Sequence, residues 1–146
     1  LARLYAKQED DMLKKTLKKK VRDWCDKEYT KKIDVKVKPE HRPLFNQQCH
    51  NNADHMVRCG DAVSIAEVVI IDDNTCTLHY INMDDQGVYF DATLGYQYSG
   101  SDYRLIRLIH TFKGYPGNHL EDEKERICLE ALGKWRNKLN DPLNML

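Results

Sequence analysis

The sequence predicts an α+β fold: an antiparallel β-sheet packed by a short cysteine-bearing helix and by N- and C-terminal helices. Three observations carry this. Apolar residues recur with a helical period at both ends of the chain. Between residues 62 and 112 the period changes to that of strands, with turn residues between the runs. A short segment with a helical stripe and a closing glycine precedes the first long strand.

The first helix is expected over residues 9–32. Leu13, Leu17, Val21 and Trp24 recur at steps of four, four and three and form one face. Asp10 and Asp11 fall near its N-terminus, where the helix dipole favours anions. Lys14, Lys15, Lys18, Lys19, Lys20 and Arg22 cover much of the remaining surface. That basic face reads either as an ordinary solvated surface or as a docking face for phosphate or an acidic partner. Ile33-Asp34-Val35-Lys36-Val37 alternates as one short strand, and Pro39 and Pro43 mark a loop.

Residues 48–59 read as the short helix, with Cys49, Ala53, Met56 and Val57 on one side and Gly60 ending it. Strands follow at Val63–Ile71, Thr75–Met83, Val88–Ala92 and Tyr103–Phe112, all rich in β-branched and aromatic residues. Asp72-Asp73-Asn74 and Asp84-Asp85-Gln86-Gly87 fit tight turns. The last helix is expected over 119–139. Asn118 caps it, Glu121 completes a capping box, and Cys128, Leu132, Trp135 and Leu139 form its stripe.

Length and charge narrow the organisation. The chain has 146 residues, which suits one core. Lys+Arg and Asp+Glu both number 23. The balance argues against a uniformly basic nucleic-acid binder and against an acidic disordered chain. It conceals an asymmetry, because residues 1–40 carry 13 basic and 8 acidic side chains, a net of +5, and residues 41–146 a net of −5. The sequence thus divides into a basic helix plus short strand (1–38) and an acidic α+β domain (39–146).

No stretch approaches the ~18 apolar residues of a membrane span. Nothing near the start has the apolar region of a signal peptide, and a cytoplasmic setting is expected, although the chain opens on Leu1 rather than methionine. The five cysteines (Cys25, Cys49, Cys59, Cys76, Cys128) are odd in number and lack a CxxC pair. A disulfide framework or zinc ribbon is not expected. Cys49, His50, His55 and Cys59 are residue types that bind metal, but only positions 55 and 59 face together on a helix and no second ligand pair is evident, so neither metal nor cofactor is expected. Cys25, Cys76 and Cys128 fall at apolar or strand positions and read as core or half-exposed thiols.

One constellation carries chemistry. A thiol at a helix N-terminus feels the positive end of the dipole and unpaired N–H groups, which favour the nucleophilic thiolate. Cys49 sits there, and Gln47 or Gln48 could add a side-chain donor to an oxyanion. A thiol nucleophile needs a base and an orienting group. His79 and Asp91 follow on successive strands. With the turn centred near residue 85, His79 is expected opposite residue 91, on the same face and about 5 Å away at Cβ. Read alone, Cys49 is as readily a small buried residue, His79 a satisfied strand histidine and Asp91 a turn residue. Tyr96, Tyr98 and Tyr103 either line a substrate groove or are ordinary half-buried sheet residues.

Gln48-Cys49-His50-Asn51-Asn52-Ala53 resembles the Q-C-[HY]-x-N-A segment of small transglutaminase-like, papain-related cysteine domains of bacteria and phages. His79-Tyr80 and Asp91-Ala92-Thr93 resemble that family's strand histidine with an aromatic neighbour and its D-P-T segment, with alanine here in the proline position. The likeness spans about residues 47–100. It implies a Cys49 nucleophile, a His79 base and an Asp91 orienter, with Gln48, Asn52 and Thr93 at the oxyanion or in support. The implied reaction is peptide or isopeptide hydrolysis, glutamine deamidation or transamidation on a protein or peptide substrate. The competing reading is a non-catalytic structural or binding module, such as a phage or cellular assembly component. It would dock through the basic helix to an acidic partner or nucleic acid, without a membrane, and would be cytoplasmic or virion-associated.

Overall fold

In a computed structural model the chain is described over residues 2–38, 49–73, 75–93, 100–114 and 116–140, with side chains described from residue 7 to residue 133 within those ranges. The elements in order are α1 (Ala2–Glu28), β1 (Lys32–Ile33), β2 (Val35–Val37), α2 (Cys49–Arg58), β3 (Ser64–Ile71), β4 (Cys76–Met83), β5 (Tyr89–Asp91), β6 (Asp102–Ile109) and α3 (His119–Asn140). The architecture is α+β, as the sequence predicts. None of the described helices is long and apolar enough to cross a membrane.

The six strands form one sheet in the order β1-β6-β3-β4-β5-β2. The expected single strand at 33–37 is two strands. β1 pairs antiparallel with β6, and β2 pairs parallel with β5. The sheet is therefore mixed rather than wholly antiparallel. Only Asp34 lies between the two edge strands, and one residue spans no more than about 3.6 Å. The two edges of a six-stranded sheet come that close only when the sheet curls round on itself. Sequence alternation could not reveal this, because 33–37 keeps its period while changing partner.

The central strand explains the core. Along β3, Ile65 to Ile71 are all buried, because both faces are covered. Ala66, Val68 and Ile70 face one cluster with Ile81 and Tyr103, joined by Ile33, Val35, Tyr89 and Leu105. Val69 and Ile71 face another with Val21 and Cys25 of α1, Cys76 of β4 and Leu120 of α3. Ile65 meets Ala53 of α2 and Tyr80 of β4. The apolar face expected on the first helix is thus the one that packs, with Val21 buried and Leu13, Leu17 and Trp24 half-buried. The helix starts earlier and ends earlier than expected. Its C-terminal end is fastened by Arg104 of β6, which donates to the Tyr29 carbonyl (2.8 Å) and to Asp26 (2.9 Å).

Local signals act as expected at the element ends. The Glu121 N–H donates to the Asn118 side chain at 3.2 Å, capping α3. Gly60 takes a positive φ of 79° after α2, where the N–H groups of Gly60 and Asp61 return to the Val57 and Met56 carbonyls. Asp84 Oδ1 accepts from the N–H groups of Gln86 and Val88, both at 2.9 Å. Asp72 accepts from Thr75 in the same way. β6 stops at Ile109, short of the expected Phe112. The side chains of Trp135 and Leu139, and residues 39–48, 74, 96, 98 and 115, lie outside the described set.

Ile65→Ala removes a fully buried side chain at the meeting point of α2 and the sheet, and should cost about 2–5 kcal/mol in a denaturant titration. Lys14→Ala, on the exposed face of α1, should stay within roughly 0.5 kcal/mol of wild type.

Candidate active site

The site forms where β4 and β5 part. These strands pair only at Asn82↔Phe90 and Met83↔Tyr89. Beyond that, β4 has no partner strand on its β5 side among the described residues, and the first turn of α2 fits there. Asn82 holds it in place. Its buried side-chain amide donates to the carbonyls of Ala53 on α2 (2.9 Å) and Ser64 on β3 (3.3 Å). Cys49, the first residue of α2, reaches β4, where its sulfur accepts from the Tyr80 backbone N–H and hydrogen-bonds the His79 ring.

The observed pairing differs from the expected register by two residues. Continued from Asn82↔Phe90, it sets Asp91 opposite Ile81 and diagonal to His79. A slip of two preserves the face, since side chains alternate with period two. The carboxylate therefore still reaches the ring: Asp91 Oδ2 lies 2.8 Å from His79 Nε2. This leaves Nδ1 for the thiol. The Asp91 carboxylate is fully buried and saturated with donors. The Tyr103 hydroxyl donates to Oδ2 at 3.0 Å, and the Thr93 N–H donates to Oδ1 at 2.9 Å. Asn52 on α2 donates to the Thr93 hydroxyl at 3.1 Å, which ties the helix to the segment after β5.

Each sequence-selected residue can now be placed. Cys49, His79 and Asp91 converge in that order of contact, and Asn52 and Thr93 lie beside them. Gln48 and Gln47 fall outside the described residues. Lys14, Lys15, Lys18, Lys19, Lys20 and Arg22 are all exposed on α1, where Arg22 donates to the Asp72 carbonyl at 2.8 Å. His55 and Cys59 do meet, at 3.4 Å from Nε2 to Sγ, on the exposed face of α2. Among the described residues no group of three His, Cys, Asp or Glu side chains is placed to hold a metal ion.

Tyr103, expected to line a groove or to be half-buried, is fully buried and serves the site through its hydroxyl; neither that role nor the Tyr80 N–H was legible in the sequence. Tyr103 lies on β6, which is not adjacent to β5 in the sheet, so its hydroxyl reaches Asp91 only because the sheet curls. Its sole sequence signal was a tyrosine in a strand segment, between Asp102 and Arg104. Tyr80 announced itself only as an aromatic neighbour of His79. Its ring packs edge-on against Phe112 (5.1 Å between centroids), and its hydroxyl donates to buried Glu67 at 3.0 Å.

The electrostatics favour charge separation between thiol and imidazole. Burial alone raises the Cys49 thiol. The hydrogen bond and charge of His79, with the N–H groups of Tyr80 and His50, outweigh it and hold the thiol below its ordinary value. Burial alone lowers His79, but the Asp91 hydrogen bond, the Cys49 hydrogen bond and the two negative charges push it up to about 9. Both shifts favour a thiolate beside an imidazolium that a carboxylate orients. Along α2, a cavity of about 370 Å³ is lined by His50, next in sequence to Cys49, and by Asn51, Asp54, Arg58, Phe112 and Gly114. No protein-family model, curated protein or solved structure matches the chain.

The pH dependence follows in sign. His79 has a folded value of about 9 against an ordinary 6.5. Its pairing with Asp91 therefore stabilises the fold fully below pH 6.5, and the stabilisation is lost as pH rises through about 9. Urea unfolding of wild type and Asp91→Asn across this range should show the stability gap narrowing as pH increases.

Proposed function

We propose that the protein is a cysteine-dependent acyl-transfer enzyme of the transglutaminase-like, papain-related kind. The observation that carries the reading is the continuous contact chain from the Cys49 thiol through the His79 ring to the buried Asp91 carboxylate. A structural cysteine does not need a raised imidazole at its sulfur, and a structural ion pair does not need a thiol at the helix N-terminus. The resemblance of the segments around Cys49, His79 and Asp91 to that family supports the same reading.

The chemistry proceeds in two balanced halves. The Cys49 thiolate attacks the carbonyl carbon of an acyl donor, and the C=O π electrons move onto oxygen. When this tetrahedral species collapses, the C–N or C–O bond to the leaving group breaks, and the leaving group takes the proton from His79. Cys49 is left as a thioester. His79, now neutral, removes a proton from an incoming water or amine, which attacks the thioester carbonyl. Collapse releases the acid or new amide and returns the thiolate and imidazolium. Asp91 holds the ring tautomer and stabilises its charge throughout. The N–H groups at the start of α2 are the nearest built-in donors for the oxyanion. Water as acceptor gives hydrolysis or deamidation, and an amine gives transamidation. The cavity at His50, Asp54 and Arg58 offers polar room for the flanking part of a peptide substrate.

Two measurements test the reading. Iodoacetamide should modify Cys49 faster than exposed Cys59 at about pH 7, with the advantage lost on acidification, because the His79 contact holds the Cys49 thiol below its ordinary value. Peptide or activated-ester donors should leave an acyl group on Cys49 that mass spectrometry detects and hydroxylamine removes. Asp91→Asn should slow acylation by at least about 100-fold, and Cys49→Ala should abolish it. Equal alkylation of the two thiols, with no acyl adduct from any donor, would sink the proposal.

A further inference from the structure

A second pair of thiols lies on the other face of the sheet from the His79 ring, and the proposed chemistry does not use it. Cys25 of α1 is fully buried, and Cys76, the first residue of β4, is 1% exposed. Both are free, and both belong to the cluster of Val21, Val69, Ile71 and Leu120 that joins the two terminal helices to the sheet. Their side chains hydrogen-bond each other. Two hydrogen-bonded thiols on separate elements of one buried cluster are neighbours that a disulfide could join. Cys76 also lines an apolar groove of about 210 Å³, together with Leu17, Val21, Thr75, Lys124 and Cys128. The groove is a route for a small reagent to a sulfur that is otherwise covered.

The two thiols are not equivalent. The Cys25 contact holds Cys76 below its ordinary value against the effect of burial, and the positive charges of Lys124 and Arg22 add to it. The same contact, with burial, raises Cys25. Cys76, the one of the two that lines the groove, is placed to be the attacking thiolate, and Cys25 behind it the resolving thiol.

We propose that Cys25 and Cys76 form a redox-responsive dithiol, which a small-molecule disulfide converts into an internal disulfide linking α1 to β4. In the first step the Cys76 thiolate attacks one sulfur of the reagent. The reagent's S–S bond breaks, a mixed disulfide forms on Cys76, and the other half leaves as a thiolate. In the second step Cys25 loses its proton and attacks the Cys76 sulfur. The protein S–S bond forms and the second half of the reagent leaves, taking up a proton. The two protein thiols together lose two electrons, and the reagent is reduced to two thiols. The closed segment spans β1, β2, α2 and β3, so the link restrains the unfolded chain over a long loop and fixes the basic helix to the core.

The test uses the whole chain and oxidised glutathione. Proteolytic mapping without reductant should find the Cys25 and Cys76 peptides joined, and dithiothreitol should separate them. The oxidised protein should melt roughly 5–15 °C higher than the reduced protein. Cys76→Ser should abolish both the joined peptides and the rise. If that variant does not fold, the wild-type map decides alone. Recovery of Cys25 and Cys76 as free thiols after Cys59 has fully reacted would overturn the proposal. So would a map in which Cys76 is joined to Cys128.

Discussion

The buried contact between His79 and Asp91 is the constraint on which the rest of the site depends. A carboxylate with no exposure is tolerated only when each oxygen finds donors, and here three separate elements supply them. β4 brings the imidazole, β6 brings the Tyr103 hydroxyl, and the segment after β5 brings the Thr93 N–H. No one of these is a sequence neighbour of the other two. The carboxylate thus ties β4, β5 and β6 together across the curl and holds the ring that the Cys49 sulfur meets.

The thiol depends on a break in regularity. Had β4 and β5 paired along their full length, the Tyr80 N–H would face a strand carbonyl rather than a sulfur. Their separation after two pairs opens that edge, and Asn82 anchors α2 across it through two carbonyls. Ladder hydrogen bonds are given up in favour of a helix terminus and a thiolate. Among the described residues every buried side-chain nitrogen and oxygen has a hydrogen-bond partner, so this irregularity leaves no orphaned polar side chain.

The charge asymmetry also takes a physical form. The basic face of α1 points outward, while Val21 and Cys25 on its other side enter the same core as β3, β4 and α3. The positively charged N-terminal segment is therefore bound into the fold by its apolar stripe. β1 and β2 then extend it to both edges of the sheet. His79 and Cys76 share β4 but point to opposite faces of it, as the period of a strand dictates.

What the sequence determined by itself was local. Helical and strand periods, the Asn118 cap, the Gly60 stop and the aspartate turns rest on contacts within a few residues, so they were readable without a fold. The order Cys49, His79, Asp91 and the shared face of His79 and Asp91 were readable too, because a two-residue register error leaves side-chain direction unchanged. Only the tertiary structure decided the rest. It split residues 33–37 between two sheet edges, made one pairing parallel, brought Tyr103 across the curled interior to Asp91, and set Cys25 against Cys76. Each of these joins residues far apart in the chain, through a closure that alternation along one strand does not encode.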